Sequence, residues 1–429
     1  MRPVLLRGGR IIDPSQGTMD AVLDLLLADG RIARLGERLD APEGAEVIDV
    51  GGMVVTPGLI DVHVHLRQPG QEHKETIRSG ARAAAAGGFT AVVAMPNTRP
   101  PIDDPAAVGF VRAEGLRAGG ARVYPSGCIT VAQQGEQLTE FGELQEAGAV
   151  TLTDDGKPVV SAGVMRMALE YALTFDLPVS VHAEEPTLSR GGSMNEGIIA
   201  TRLGIGGIPN ASEDVMIARD LLLAEMTGGR LHVQHVATRG GVELIRAGRA
   251  RGIRVTAEAA PHHFTLTDAA VEQHHTAAKM NPPLRSEADR DAVRQGVVDG
   301  TLDVIATDHA PHHYDEKEQA FEDAPFGIVG LETAVGLAYT ELVATGLIDL
   351  PTLVERMSCA PARSMSLPGG TLAQGTPADV TVLDPRMEWT VDPRQFLSMS
   401  RNTPFGGRQL RCRAVRTFVD GVQVWGGRA

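Results

Sequence analysis

The chain has 429 residues, of which 43% are hydrophobic, and its formal net charge is −14. This length allows a large core and more than one structural unit, and the acidic balance argues against nucleic acid or an acidic membrane surface as a partner. The sequence shows no apolar run of the ~18 residues that would span a membrane, and Arg7 and Arg10 interrupt the N-terminal apolar run too early for a signal peptide. Three cysteines, far apart in the sequence, indicate a reducing compartment and no disulfide framework.

The two ends of the chain resemble each other and differ from the middle. Apolar runs cut by glycine occur in "PVLLRGGRIID", "LDLLLADGRIARLG" and "AEVIDVGGMVVTPG", and again near the C-terminus in "PADVTVLD" and "VRTFVDGVQVWGG". Such runs are typical of short strands, and "DG" is a hairpin signal. All 13 histidines lie between His63 and His313. We therefore predict one small β domain from residues 1–57 and 366–429, built around a central domain of residues 58–365.

The central part alternates between strand-like and helix-like segments. Ala- and Leu-rich stretches such as "TIRSGARAAAAGG" separate the candidate strands "GLIDVHVHL", "FTAVVAMPN", "RVYPSGCIT", "AVTLTDDG", "LPVSVHAEE", "RLHVQHVAT", "IRVTAEAAPHH" and "LDVIATDHAP". Eight strands with intervening helices predict a (β/α)₈ barrel. A doubly wound open sheet is the alternative, but it calls for a Gly-rich phosphate-binding turn after an early strand, and none is evident.

Residues able to bind a metal recur at the C-terminal ends of these strands. They are His63 and His65, Asp154 and Asp155, His182, His235, and Asp308. Alternate residues of a strand point the same way, so the two histidines of "HVH" project together. Barrel enzymes gather their catalytic residues at this end, and the set suffices for two divalent ions that share a bridging ligand. Imidazole with carboxylate suits zinc, with manganese or cobalt as alternatives.

Each of these residues also has an ordinary structural interpretation. A buried histidine is more often a hydrogen-bonded core residue, "TDDG" alone is most often a turn, and "TDHAPH" could be a helix cap. Their joint occurrence at successive strand ends favours the metal site.

The same motifs resemble the amidohydrolase superfamily, and more narrowly its class I dihydroorotases. The resemblance extends over essentially the whole chain through "PGLIDVHVHLRQPGQEHKET", "GGFTAVVAMPNTRP", "TLTDDG", "VHAEE", "HVQHVAT", "TAEAAPHH", "KMNPPLR", "IATDHAPH", "APFGIVGLET" and "NTPFGG". It implies a distorted (β/α)₈ barrel with a small β-sandwich domain formed by the N- and C-terminal segments.

The resemblance also implies a set of metal ligands. His63, His65 and Asp308 would hold the more buried of two zinc ions, and His182 and His235 would hold the second. Related hydrolases bridge their ions with a carbamylated lysine, for which Lys157 is the nearby candidate; class I dihydroorotases use an aspartate, which falls on Asp155. Asp154 would then position its neighbour.

Further residues are implied to bind the substrate. A planar guanidinium matches a carboxylate, so the ring carboxylate of dihydroorotate would be bound by Arg67, together with Asn97 and His312. The remaining contacts implied by the resemblance are His65, Leu66, Asn281 and the backbone at Phe326 and Gly327. Segment 309–327 would form a lid over them, unless it is an ordinary surface loop.

The activity implied by the resemblance is the reversible interconversion of (S)-dihydroorotate and N-carbamoyl-L-aspartate in pyrimidine biosynthesis. Asp308 would be the general base. Two alternatives stay open, namely another cyclic-amide hydrolase such as a hydantoinase or allantoinase, and a non-catalytic scaffold. We also expect a small-molecule substrate and a cytoplasmic location. For assembly, we expect either a homo-oligomer or a complex with aspartate carbamoyltransferase.

Overall fold

The computed structural model describes residues 2–17 and 19–426. Its strands are β1 (Val4–Asp13), β2 (Met19–Ala28), β3 (Arg31–Gly36), β4 (Glu46–Asp49), β5 (Val54–Pro57), β6 (Leu59–Val64), β7 (Phe89–Ala94), β8 (Arg122–Pro125), β9 (Val179–Val181), β10 (Met194–Asn195), β11 (Gly207–Ile208), β12 (Leu231–Val233), β13 (Val255–Ala259), β14 (Val304–Ile305), β15 (Val380–Thr390), β16 (Gln409–Val419) and β17 (Val422–Trp425).

The helices lie mostly between the strands of the central part. They are α1 (Ile77–Ala86), α2 (Pro105–Arg117), α3 (Phe141–Ala147), α4 (Ala162–Ala172), α5 (Pro186–Ser189), α6 (Ile198–Leu203), α7 (Ala211–Thr227), α8 (Arg239–Ala250), α9 (Pro261–Thr265), α10 (Ala270–His274), α11 (Glu287–Asp299), α12 (Tyr314–Lys317), α13 (Ala334–Ala338), α14 (Leu350–Val354) and α15 (Ala360–Ser364). Two π-helical stretches, Tyr339–Val343 and Glu355–Cys359, continue α13 and α14.

Strands from both ends of the chain form one sheet. Its order is β17-β16-β15-β5-β1-β2-β3, with β4 paired to β1. The predicted "DG" hairpin is the β2–β3 turn, where Asp29 and Gly30 take the positive φ values of 51° and 75° that favour this turn. A separate hydrophobic cluster holds this sheet together and draws on both ends of the chain, from Leu6 and Ile11 to Val380 and Phe418. The exact domain boundaries stay a prediction.

The central part closes into a barrel through two short sheets and three single-residue bridges. Parallel strands β6-β7-β8 form one sheet and β9-β12-β13-β14 the other. Leu152 bridges Gly127 on one side and Val179 on the other, and Val64 bridges His309. The predicted (β/α)₈ barrel is therefore confirmed and the open sheet is wrong. The fourth predicted strand, "AVTLTDDG", is reduced to the bridge at Leu152.

The segment between β15 and β16 does not extend the terminal sheet. Residues 391–408 instead cross to the barrel, where Phe396 and Phe405 pack in one hydrophobic cluster with Leu284 and Ile328. The C-terminal part of the chain therefore reaches the loops that follow β13 and β14.

Two simpler expectations concern cysteines and membranes. Cys128, Cys359 and Cys412 are all free and buried. A search of the described residues finds no helix with the length and apolar character needed to cross a membrane.

Candidate metal centre and active site

Asp155 lies at the centre of the predicted ligands. Among the described residues, two groups of side chains could hold a metal ion, His63 with His65 and Asp155, and Asp155 with His182 and His235. Oδ1 of Asp155 is 3.6 Å from His63 Nε2, 3.6 Å from His182 Nδ1 and 3.5 Å from His235 Nε2, while Oδ2 is 3.4 Å from His65 Nε2. One carboxylate thus faces both groups, as a bridging ligand would.

Asp308 lies beside the first of these groups, next to His63 and His65. Its Oδ1 is 3.1 Å from His65 Nε2 and 3.5 Å from His63 Nε2. Desolvation by itself would raise the pKa of Asp308, but the hydrogen bond from His65 and the neighbouring imidazoles outweigh it and bring the pKa to about 2. The carboxylate is therefore ionised at neutral pH and able to accept a proton or bind a cation.

Three of the four imidazoles are oriented by an oxygen on their far side. His63 Nδ1 is 2.5 Å from Glu258 Oε1, His65 Nδ1 is 2.9 Å from Asn97 Oδ1, and His182 Nε2 is 2.8 Å from Glu184 Oε2. When a ring nitrogen donates to such an acceptor, the other nitrogen is left with a lone pair. In each of these rings the second nitrogen is the one that faces the aspartates, and His182 Nδ1 also lies 2.9 Å from His235 Nε2.

The donor set fits divalent cations. His63 Nε2 is buried and has no hydrogen-bond partner among the described residues, although it faces both aspartates. Desolvation would raise the pKa of Asp155, yet the His63, His182 and His235 imidazoles hold it well below its usual range. Buried imine nitrogens and ionised carboxylates converging on the same space suit zinc, or manganese and cobalt.

Three residues of the site have strained backbones. Arg67, His235 and Asp308 have φ values of 61°, 33° and 48°, which non-glycine residues adopt rarely. Such conformations cluster at functional sites because they aim side chains in directions that regular structure does not allow. Here each strained residue directs its side chain towards the cavity described next.

A cavity of about 190 Å³ opens directly above these ligands. This volume has room for several waters or for one small ring. Its lining comprises His65, Arg67, Asn97, Asp155, Gly156, His182, His235, Asn281, Asp308, Ala310, His312, Phe326 and Gly327. His63 lies beneath it, fully buried.

Arg67 and His312 form one wall of the cavity. Arg67 Nη2 is 3.2 Å from His312 Nε2, and Arg67 Nε donates to the carbonyl of Pro311 at 3.1 Å. Burial lowers the pKa of Arg67 to about 10, so the guanidinium stays charged at neutral pH. Burial, and then the charges of Arg67 and Lys74, keep the pKa of His312 low and its ring neutral. The wall therefore presents one buried positive charge, which suits an anionic group on a ligand.

Asn97 and Asn281, the two asparagines that line the cavity, differ in their hydrogen bonds. Asn97 accepts from His65, and its Nδ2 lies 3.3 Å from Asp155 Oδ2, so its amide is committed to the ligands. Asn281 Nδ2 donates to Glu184 Oε2 at 2.7 Å. Because that bond fixes the orientation of the amide, Asn281 Oδ1 is the atom left to accept a hydrogen bond from a bound molecule.

Besides His63, three residues singled out in the sequence lie outside the cavity. Leu66 is buried in the main hydrophobic cluster. Lys157 is exposed. Asp154 faces away from the other ligands and accepts the backbone N–H groups of Ile129 and Thr130. This contact fixes the chain immediately before Asp155, as expected of a positioning residue.

Sequence reasoning missed Glu258 and Glu184. Glu258 accepts from His63 through Oε1, from His232 Nε2 at 3.1 Å through Oε2, and from the backbone N–H of His235 at 3.0 Å. A signal for Glu258 was present, since a charged residue in the otherwise uncharged strand "VTAEA" is costly to bury without partners.

These features define a metal-dependent hydrolase barrel of the amidohydrolase type. Solved structures agree: L-hydantoinase from Arthrobacter aurescens superposes with a TM-score of 0.88 at 28% identity, covering 99% of this chain and 96% of that one. D-Hydantoinase from a Thermus species gives a TM-score of 0.84 at 26% identity, over 99% and 95% of the two chains.

Sequence relatives narrow the assignment. A family model described as "Dihydro-orotase-like" matches residues 52–241. A dihydroorotase of Pelotomaculum thermopropionicum is 53% identical over 421 residues, which is 98% of each chain. One of Syntrophotalea carbinolica is 53% identical over 418 residues, which is 97% of this chain and 98% of the relative. The chain belongs to the dihydroorotase family.

Proposed function

We propose that this protein is a dihydroorotase, which interconverts (S)-dihydroorotate and N-carbamoyl-L-aspartate in pyrimidine biosynthesis. The observation that carries the proposal is the buried guanidinium of Arg67 in the same small cavity as the metal-capable residues. Dihydroorotate has a carboxylate on its ring, whereas hydantoin, allantoin and dihydrouracil have none. A buried cation facing an uncharged ring would lack its partner, which favours the carboxylate-bearing substrate over the hydantoinase alternative.

Two zinc ions per chain are part of the proposal. His63, His65 and Asp308 would hold one, His182 and His235 the other, and Asp155 would bridge them. When bound, such ions make a nucleophile from water near neutral pH and polarise the carbonyl under attack. The presence of all six side chains at the cavity argues against a non-catalytic scaffold, which would have no reason to retain them.

The protein's own groups would then bind the substrate and move the proton. Arg67 and His312 would hold the ring carboxylate and so fix which ring carbonyl lies over the ligands. Asn281 Oδ1 would accept a ring N–H. Asp308, ionised and 3.1 Å from His65, would take the proton of the attacking water and return it to the leaving ring nitrogen.

The reverse direction uses the same contacts. Ring closure turns a carboxylate into a neutral amide and consumes a proton, so acid favours dihydroorotate. Asp308 would then take the proton of the attacking ureido nitrogen and pass it to the leaving oxygen, and the proton consumed overall would come from solution.

The test is a substrate panel on one purified sample whose bound metal is counted. We expect loss of the ultraviolet absorbance of dihydroorotate with two metal equivalents per chain, and little or no turnover of hydantoin, allantoin or dihydrouracil. Faster turnover of any uncharged ring would contradict the proposal, as would inactivity towards dihydroorotate in a fully metal-loaded sample.

Location and assembly complete the proposal. A cytoplasmic enzyme would be expected from the three free, buried cysteines. For assembly we keep both expectations, a homo-oligomer and a complex with aspartate carbamoyltransferase. Light scattering of the protein alone, and then mixed with that enzyme, distinguishes the two.

A further inference from the structure

A lysine is buried in the most charged loop of the chain. Lys317 ends α12 within segment 309–327, and only 7% of its surface is exposed. Its Nζ donates to three backbone carbonyls, those of Lys279 at 3.2 Å, Pro325 at 2.8 Å and Gly327 at 3.0 Å. An ammonium group has three N–H donors and no acceptor, so these carbonyls satisfy it completely.

The bonds from Lys317 join the end of the loop to a neighbouring segment of the same chain, at the edge of the cavity. The backbone N–H of Gly327 donates to the same Lys279 carbonyl at 2.9 Å, and Asn402 Nδ2 donates to the Gly327 carbonyl at 3.0 Å. Pro325 O has no donor other than Lys317 among the described residues. Lys317 therefore ties the end of the loop to the segment that carries Asn281, two residues beyond Lys279.

The residue enclosed by these bonds faces the cavity. Phe326 lies between Pro325 and Gly327, and its carbonyl is 2.8 Å from His312 Nε2, the ring that also contacts Arg67. Gly327 has a φ of 129°, and a Cβ there would lie 2.6 Å from Ala310 Cβ. The backbone at Gly327 therefore packs closely against the wall of the cavity. A shift of the loop end would change the position of His312 and with it the carboxylate-binding wall.

We propose that Lys317 is a positioning residue for substrate binding: its ammonium fixes the backbone of residues 325–327, and through Phe326 the ring of His312, in the arrangement that receives the substrate carboxylate. This inference rests on the proposed function. Lys317 lines no part of the cavity and would touch neither substrate nor metal.

A lysine would be a poor choice for merely filling this space. Burying an ammonium is costly unless every proton has an acceptor, and an apolar side chain would fill the same volume without that cost. Burial, and then the charge of Lys279, lower the pKa of Lys317 to about 7, whereas the three carbonyl acceptors favour the charged form. In that form each bond to a carbonyl is stronger than one from a neutral donor. Lys317→Met keeps the bulk of the side chain and removes all three bonds, which makes it the informative variant.

The first measurement compares Lys317→Met with wild type and with Glu318→Gln, an exposed change one residue further along the same loop. We expect Lys317→Met to raise the KM for dihydroorotate by about 10- to 100-fold, the loss typical of hydrogen bonds to a charged group, with a smaller change in kcat and with both metals retained. Amide hydrogen exchange of residues 321–327 should accelerate in this variant. Glu318→Gln should match wild type in all four measurements.

A chemical rescue separates the ammonium from the shape of the side chain. Position 317 is buried like the three natural cysteines, so the rescue uses a parent in which those three are replaced by alanine. Alkylating its Lys317→Cys variant with 2-bromoethylamine in denaturant, and refolding it with zinc, should restore an ammonium at nearly the original reach. We expect the KM to return towards the wild-type value. Failure of rescue in protein shown by mass to be alkylated would overturn the inference, as would an unchanged KM and exchange rate in Lys317→Met. If the wild-type protein does not turn over dihydroorotate, that result would instead overturn the proposed function.

Discussion

Replacing Arg67 by methionine tests the assignment of the substrate most directly. Arg67 is 9% exposed, and it keeps its charge because its pKa, lowered by burial, is still about 10. Carboxylates act on it only through longer-range charge interactions, Asp308 first, and its hydrogen-bond partners are the Pro311 carbonyl and the neutral His312 ring. Neither is an anion, so the charge is available to a ligand carboxylate.

The expected loss follows from removing one partner of a partly desolvated charge pair. Such truncations cost about 2–4 kcal/mol, because the other charge is left buried without its partner. At ~1.4 kcal/mol per factor of ten, this amounts to about a 30- to 1,000-fold loss in kcat/KM for dihydroorotate. Both metals should stay bound, since Arg67 lies outside the two groups of metal-capable residues.

The assay follows dihydroorotate and the uncharged ring dihydrouracil in parallel, with the metal counted on each sample. Arg67→Met should spare whatever dihydrouracil turnover wild type shows, since that ring has no carboxylate to lose. Arg99→Met is the matched control, because it removes the same charge from an exposed position in a neighbouring loop. Equal losses on both substrates, or loss of metal, would refute the reasoning and leave Arg67 as a structural residue of the loop.

Three further predictions concern the metal ligands and the proton. Asp155→Ala should lose at least one metal equivalent and nearly all turnover, whereas Lys157→Ala should keep most activity. Loss of activity in Lys157→Ala, together with a wild-type activity that responds to bicarbonate, would favour the carbamate alternative. Glu258→Gln leaves one acceptor where His63 and His232 need two, so metal affinity in a chelator competition should fall about 10- to 100-fold; unchanged affinity would argue against a positioning role. Because ring closure consumes one proton, the equilibrium ratio of dihydroorotate to carbamoyl-aspartate should rise about tenfold for each unit by which the pH falls; a pH-independent ratio would exclude this reaction.

The strand-end ligands were predictable because their positions follow from local geometry. Alternation at the end of β6 brings His63, and His65 just beyond the strand, to one side. Parallel strands bring their C-terminal ends to one edge of the barrel, whatever the details of packing. The strand before Asp155 was the exception. Only Leu152 forms bridges to its neighbours there, although Thr151 and Thr153 on either side of it still make backbone hydrogen bonds to Gly127.

The supporting polar contacts were not predictable, because they join parts of the chain that are far apart in sequence. Glu258 meets His63 across 195 positions, and Asn402 meets His312 across 90. The sequence of the C-terminal segment predicts strands and turns, and nothing in its pattern indicates that residues 391–408 leave the sheet and approach the cavity. Only the packed barrel shows which carbonyls and rings need a donor there.

The two halves of the site are therefore built on different kinds of structure. The metal-capable residues sit at or just beyond the ends of barrel strands, where ladder hydrogen bonds and buried carboxylates such as Glu258 fix them. The carboxylate-binding wall lies on loops, and side chains such as Lys317 and Asn402 hold it by donating to backbone carbonyls. Because loops can rearrange without unfolding the barrel, changes in the wall should raise KM and leave the metals bound. Changes beneath the cavity should release metal first, so the pattern of defects in a variant reports which half of the site it affects.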